Sequence, residues 1–81
     1  NMQDVQLINR VRQALMNNRN IDARAIRVTS DNGTVTLIGL VRNDAAKEEA
    51  ENTAKNVDGV SGIDNKLTTQ PNTNSNQSYR Y

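Results

Sequence analysis

The fold is decided by the stretch Asp31-Asn32-Gly33-Thr34-Val35-Thr36-Leu37-Ile38-Gly39-Leu40-Val41, which joins a tight turn to one short alternating strand. Asn-Gly between two extended runs is the strongest local hairpin signal, because a type I′ turn needs a positive φ at both central positions. We therefore predict a first strand over 26–30 that pairs antiparallel with a second strand over 34–41.

Alternation in these strands predicts one face toward a core and one face turned away from it. The residues predicted to point inward are Ile26, Val28, Val35, Leu37, Gly39 and Val41. The residues predicted to point away are Arg27, Thr29, Thr34, Thr36, Ile38 and Leu40. A glycine inside a strand marks a bulge or the close approach of another element, so we expect a bulge or a closely approaching helix at Gly39.

Helical periodicity flanks the hairpin on both sides. Before it, apolar residues at three- and four-residue spacing predict a helix over 5–17 with Asp4 as its cap. After it, an alanine stripe predicts a helix from Asn43 or Asp44 to Val57, ended by Gly59 in the left-handed region. A third strand is predicted over 62–69, and its inward residues are Ile63, Asn65 and Leu67.

The element order is αββαβ, and the strand-helix-strand connection makes the second and third strands parallel. Whether the third strand lies beside the first or the second is left open by the pattern. We predict an α+β fold with two helices packed on one face of a three-stranded mixed sheet. Residues 1–69 form this domain, and the Asn- and Ser-rich segment 70–81 is predicted to be a disordered tail.

Composition excludes several classes of function. The 81 residues contain neither His nor Cys, so the usual catalytic bases and thiol nucleophiles are missing. Asp44, Glu48 and Glu51 share a helix face, but Lys47 and Lys55 interleave with them, which indicates a solvated face and no metal site. No apolar run approaches the roughly 20 residues of a membrane span. We predict a non-enzymatic binding module without cofactor or metal.

Net charge is +1, but the charges are unevenly distributed. Residues 1–43 carry six Arg against three Asp, whereas residues 44–69 carry three Lys against six acidic residues. This dipolar balance differs from the strongly basic one of a nucleic-acid binder.

The Gly59-Val60-Ser61-Gly62 stretch matches the GXXG loop of KH domains, but it joins a helix to a strand and is interpreted as a turn.

The predicted elements resemble a BON domain, the bacterial osmotic-stress and nodulation module. The resemblance covers residues 4–69 and rests on two stretches, Gly33-Thr34-Val35-Thr36-Leu37-Ile38-Gly39-Leu40-Val41 and Gly59-Val60-Ser61-Gly62-Ile63-Asp64-Asn65-Lys66-Leu67. Thr69 departs from the valine usual there, and only one copy of the module is present. The resemblance implies a periplasmic or envelope-associated domain that binds phospholipid surfaces or other envelope components. No signal peptide is visible, and the start at Asn1-Met2 fits a trimmed form of something longer.

Five arginines are candidate contacts for anionic lipid headgroups, each contributing about 1 kcal/mol near such a surface. They are Arg10, Arg12, Arg19, Arg24 and Arg27. Three engaged together give only millimolar affinity, so an apolar anchor is also needed, with Met2, Met16 and Leu7 as candidates. The alternative interpretation is a solvated helix face and hairpin edge.

Ile38, Leu40 and Thr36 form a second candidate site on the outer face of the sheet. An exposed apolar patch there favours an envelope protein partner or a weak homo-oligomer. The alternative is that these residues pack under the loop before the first strand or against the tail. Asn65 is the one inward polar side chain, and we expect it to bond backbone groups near the end of the third strand.

Overall fold

The computed structural model describes residues 2–69, and the predicted tail over 70–81 lies outside the described residues. The helices and strands are α1 (Met2–Asn17), a short 3-10 helix (Ala23–Ala25), β1 (Ile26–Asp31), β2 (Thr34–Val41), α2 (Asp44–Lys55) and β3 (Gly62–Thr69). The predicted α+β architecture, in the order αββαβ, is confirmed.

The three strands form one mixed sheet in the order β1-β2-β3. β1 and β2 are antiparallel, β2 and β3 are parallel, and so the question left open by the sequence is answered with β3 beside β2. Asn32 and Gly33 have φ values of 53° and 89°, which confirms the predicted turn. The Ser61 N–H donates to the Gly33 carbonyl at 2.8 Å, which fixes the start of β3 against this turn.

Both helices cover the same face of the sheet, as predicted. α1 packs mainly on β1, whereas α2 packs mainly on β3. The outward residues of β2 leave the opposite face open to solvent. The buried core consists of Leu7, Val11, Leu15, Ile21, Ile26, Val28, Val35, Leu37, Val41, Ala50, Ala54 and Leu67. Ile63 is partly buried and packs against this core.

Gly39 is the point where the 3-10 helix approaches the sheet. Its φ is +151°, and a Cβ at this position would lie 2.0 Å from the Ala25 carbonyl oxygen. The pairing of β1 with β2 runs without interruption from the turn to the Ile26–Gly39 pair, where β1 begins. Of the two alternatives at this glycine, the close approach of a helix, here the 3-10 helix that contains Ala25, is therefore the correct one.

The predicted start of α1 is wrong by three residues. The helix begins at Met2, so Asp4 lies within its first turn and is not the cap. The Asp4 carboxylate instead accepts a hydrogen bond from the Ser30 hydroxyl at 3.0 Å. Asp4 therefore ties the first turn of α1 to the end of β1.

The start of α2 is confirmed, whereas its predicted end is wrong. The Asn43 side chain caps the helix by accepting the Ala46 N–H at 2.8 Å. The helix ends at Lys55 with Asn56 as its right-handed C-cap, so Val57 lies beyond it. Gly59 does have a positive φ of 100°, but it turns the loop toward β3 and does not end the helix.

Candidate functional site

The five candidate arginines are divided among three places on the molecule. Arg12, Arg24 and Arg27 line one depression of about 500 Å³. Arg19 lines a different cleft at the end of the sheet. Arg10 lies beside the hairpin turn, in a third depression. Only the first group brings several candidates together, so we take it as the candidate functional site.

A smaller apolar groove of about 160 Å³ adjoins this group, between α1 and the outer edge of β1. Two of the three arginines, Arg12 and Arg24, lie along it. Its apolar lining consists of Leu15, Met16, Ala23, Ile26 and Val28. A positively charged rim around an apolar groove offers two kinds of contact to one amphipathic ligand.

Local chain geometry explains how Arg24 reaches this site. Asp22 caps the 3-10 helix, because its carboxylate accepts the Arg24 N–H at 3.2 Å. The same oxygen accepts a second bond from Arg24 Nε at 3.2 Å. The Arg24 side chain remains 92% exposed, so this ion pair is a weak surface interaction that an anionic ligand can replace.

Arg12 and Arg27 come to the site from different elements. Arg12 projects from the exposed side of α1, and Arg27 from the outer face of β1. Within residues 2–69 neither guanidinium has a carboxylate within ion-pair distance. Both therefore keep their hydrogen-bond donors available for an anion, and a planar guanidinium binds phosphate oxygens well.

The candidate apolar anchors differ in how far their side chains are exposed. Met2 and Met16 are 71% and 62% exposed, whereas Leu7 belongs to the buried core. The proposal of Leu7 as an anchor is therefore wrong, because its side chain already fills the space between α1 and the sheet. Met16 lies in the wall of the apolar groove, next to the arginines.

Arg42 is a basic residue that the sequence reasoning missed. It lines the cleft at the end of the sheet together with Arg19, Leu40 and the Asn43 cap, in a volume of about 500 Å³. Its position in the sequence could have indicated a site, because Arg42 directly follows the last residue of β2 and precedes a helix cap. Arg19 follows α1, and only the tertiary fold brings these two residues to one cleft.

The second candidate site lies on the outer face of the sheet. Ile38 and Leu40 are 42% and 43% exposed, and Thr36 is half-buried between them and the turn. By the strand register Ile38 is flanked by Arg27 on β1 and Lys66 on β3. Because Ile38 also lines the depression that holds the three arginines, the two candidate sites are contiguous.

Asn65 is half-buried and bonds more widely than predicted. Its Nδ2 donates to the Lys47 carbonyl at 3.1 Å and to Glu51 Oε1 at 3.0 Å, so it links β3 to α2. Its Oδ1 accepts the Leu67 N–H of its own strand at 3.1 Å. The acidic face of α2 is thus partly used in packing, and no set of three metal-ligating side chains is found within residues 2–69.

A family model described as the BON domain matches residues 3–71. The chain belongs to the BON domain family. Osmotically-inducible protein Y of Escherichia coli (strain K12) is 39% identical over 66 residues, which cover 82% of this chain and 33% of that protein. The predicted family is therefore confirmed.

A solved structure shares the fold at low sequence identity. It is the C-terminal domain of CdsD, a structural protein of the type III secretion system of Chlamydia trachomatis, with a TM-score of 0.67 and 17% identity. The match covers 84% of this chain and 34% of that one, so the chain spans about a third of each of these two proteins. Neither helix within residues 2–69 is both long and apolar enough to cross a bilayer.

Proposed function

We propose that this BON domain is a non-enzymatic module that binds anionic phospholipid surfaces at the cell envelope. The observation that supports the proposal is the convergence of Arg12, Arg24 and Arg27 beside an apolar groove whose wall includes the exposed Met16. Three basic residues contribute about 3 kcal/mol at an anionic surface. Insertion of an apolar side chain adds to this and raises the affinity above the millimolar range.

Vesicle co-sedimentation tests the proposal. The full chain is mixed with vesicles of anionic or of zwitterionic phospholipid at two salt concentrations. We expect binding to anionic vesicles only, and weaker binding at high salt because ions screen the exposed arginines. Equal binding to both kinds of vesicle would contradict the proposal.

A matched pair of variants locates the binding surface. Replacing Arg12, Arg24 and Arg27 by Gln should weaken binding by about a hundredfold, which corresponds to the loss of three basic contacts. The control replaces Arg10, Lys47 and Lys55 by Gln, which removes the same charge from other parts of the molecule. If the control loses as much affinity as the site variant, net charge and not the site governs binding.

The same proposal includes a cellular setting. The name of the Escherichia coli relative describes it as osmotically inducible. We place this chain in a similar osmotic-stress role, as a periplasmic or envelope-associated protein. Fractionation of cells before and after an increase in osmolarity tests this setting, and a constant cytoplasmic location would contradict it.

A second candidate function is protein binding through the outer sheet face. The specific observation is that Ile38 and Leu40 remain exposed side by side on the central strand. The variant Ile38→Ser should abolish binding of an envelope protein partner and leave vesicle binding within about twofold, because it removes the apolar side chain without adding a negative charge beside Arg27. Loss of vesicle binding in this variant would show that the two faces act as one lipid-binding surface.

A further inference from the structure

The outer edge of β3 presents main-chain groups whose direction follows from the sheet geometry. A two-residue hairpin closes with a hydrogen-bonded pair, here Asp31 and Thr34, so the even-numbered residues of β2 bond β1. Its odd-numbered residues therefore bond β3, and the Gly39 carbonyl accordingly also accepts the Thr68 hydroxyl at 3.2 Å. The N–H and C=O groups of Ile63, Asn65 and Leu67 consequently point to the open edge.

Each edge of the sheet has one main-chain N–H that is bonded within the chain itself. On β1 the Ile26 N–H donates to the Ala23 carbonyl, and the Ser30 side chain contacts α1 through Asp4. On β3 the Leu67 N–H donates to the Asn65 side chain. Within residues 2–69 the N–H groups of Ile63 and Asn65 have no acceptor. An edge strand with free main-chain groups is a template for pairing with another strand.

Side chains along β3 are arranged symmetrically about Asn65. Ile63 and Leu67 lie on the inner face of the sheet. Asp64 and Lys66 lie exposed on the outer face, with Lys66 Nζ 3.7 Å from Asp64 Oδ2. We infer that β3 pairs antiparallel with β3 of a second copy of this chain, about a two-fold axis at Asn65. Asp64 then lies opposite the partner's Lys66, and Ile63 lies beside the partner's Leu67.

Charge selects this register from the alternatives. An axis at Asp64 or at Lys66 would place like charges directly opposite each other, which is destabilising. An axis at Ile63 or at Leu67 would pair neither charge with its opposite and would shorten the overlap of the eight-residue strand. In the Asn65 register Asp64 and the partner's Lys66 form a non-hydrogen-bonded pair, in which opposing side chains approach most closely.

We expect the association to be weak for three structural reasons. The Leu67 N–H must leave the Asn65 side chain to bond the partner strand, so one bond replaces another. The Glu51 carboxylate is held over Asn65, and two such carboxylates approach each other across the axis. A single strand pair also buries less area than a stable interface, so we expect a dimer only toward millimolar chain concentration.

Sedimentation of the full chain over a range of concentrations, with two charge variants, tests the inference. Asp64→Lys and Lys66→Asp should each weaken self-association by about tenfold, because attractive pairs become repulsive. An equimolar mixture of the two variants should form a heterodimer at least as tight as the wild-type dimer, since every pair is then of opposite charge. The double variant D64K/K66D should associate like the wild type.

Several results would overturn the inference. They are a wild-type chain that stays monomeric up to millimolar concentration, charge variants that all behave alike, and a mixture that fails to associate. Loss of association in Ile38→Asp, with none in Asp64→Lys, would assign the dimer to the outer face. As a control, Asp31→Lys makes the same charge change on β1 and should leave association unchanged. Both tested positions are exposed, so circular dichroism should show intact folds.

Discussion

α1 and α2 cover one face of the same sheet, but they do so with side chains of very different size. α1 buries Leu7, Val11 and Leu15, whereas the fully buried residues of α2 are Ala50 and Ala54. Large side chains hold a helix axis farther from its neighbour, and small ones let it approach closely. The apolar groove accordingly lies along α1, between this helix and the edge of β1.

The outward faces of the two helices differ as well. α1 exposes Met2, Val5 and Met16 together with arginines, whereas α2 exposes a mixture of acidic and lysine side chains. Lys47 and Glu51 on α2 are spaced as neighbours on one helix face, and Glu51 also bonds Asn65 of β3. α2 therefore meets the sheet through small side chains and a side-chain hydrogen bond to β3, while α1 and β1 present the groove.

Substitutions in the core test the difference in side-chain size between α1 and α2. Leu15→Ala should lower the free energy of unfolding by about 3 kcal/mol, because it leaves a cavity under α1. Ala54→Leu should lower it by about 1–3 kcal/mol for the opposite reason, since α2 must move off the sheet. Urea denaturation measures both, with the exposed Gln13→Ala as control. An Ala54→Leu variant of unchanged stability would show that α2 is not closely packed.

The hairpin strands and the buried side of α2 were the easiest parts of the fold to predict. Alternation and the Asn-Gly turn define the strands locally, and alanine spacing defines the buried side of α2. The position of β3 beside β2 was not predictable, because either neighbour gives β3 the same alternating pattern. The predicted end of α2 is too late because the prediction assigned Gly59 as the glycine that ends the helix. In the structure Gly59 has a positive φ in the loop that follows, after α2 has already ended at Lys55.

The candidate site was predictable only in part. Arg10 and Arg12 are two positions apart on one helix, so their directions differ by about 200° and a shared site was already disfavoured by the sequence. The meeting of Arg12 with Arg24 and Arg27 depends on how α1 crosses β1, which is a long-range contact. No local pattern reports such a contact, and for the same reason Arg42 was missed.

A second prediction concerns the side-chain hydrogen bonds that join the end of α1 to α2. Asn18, just after α1, donates to Glu49 Oε2 at 2.9 Å and to Thr53 Oγ1 at 3.0 Å on α2. Asn18→Ala should lower the free energy of unfolding by about 2 kcal/mol, because these two bonds are lost together with the one that Asn18 Oδ1 accepts from the Asn20 N–H at 2.9 Å. Asn17→Ala, at the exposed end of α1, is the matched control. Equal stabilities of the two variants would mean that core packing alone holds the helices together.

Substitution of the exposed methionines separates two ways in which α1 can contact a membrane. Met2 and Met16 are both exposed, and they lie about 21 Å apart along the helix axis. If the groove end alone contacts lipid, Met16→Ser should weaken vesicle binding by about fivefold, through loss of about 1 kcal/mol of apolar contact. Met2→Ser should then leave the affinity unchanged. If both variants lose affinity equally, the helix lies flat on the surface along its whole length, and the contact extends well beyond the groove. If neither loses affinity, the arginines bind headgroups without apolar insertion, and the contrast between the two helices is one of charge alone.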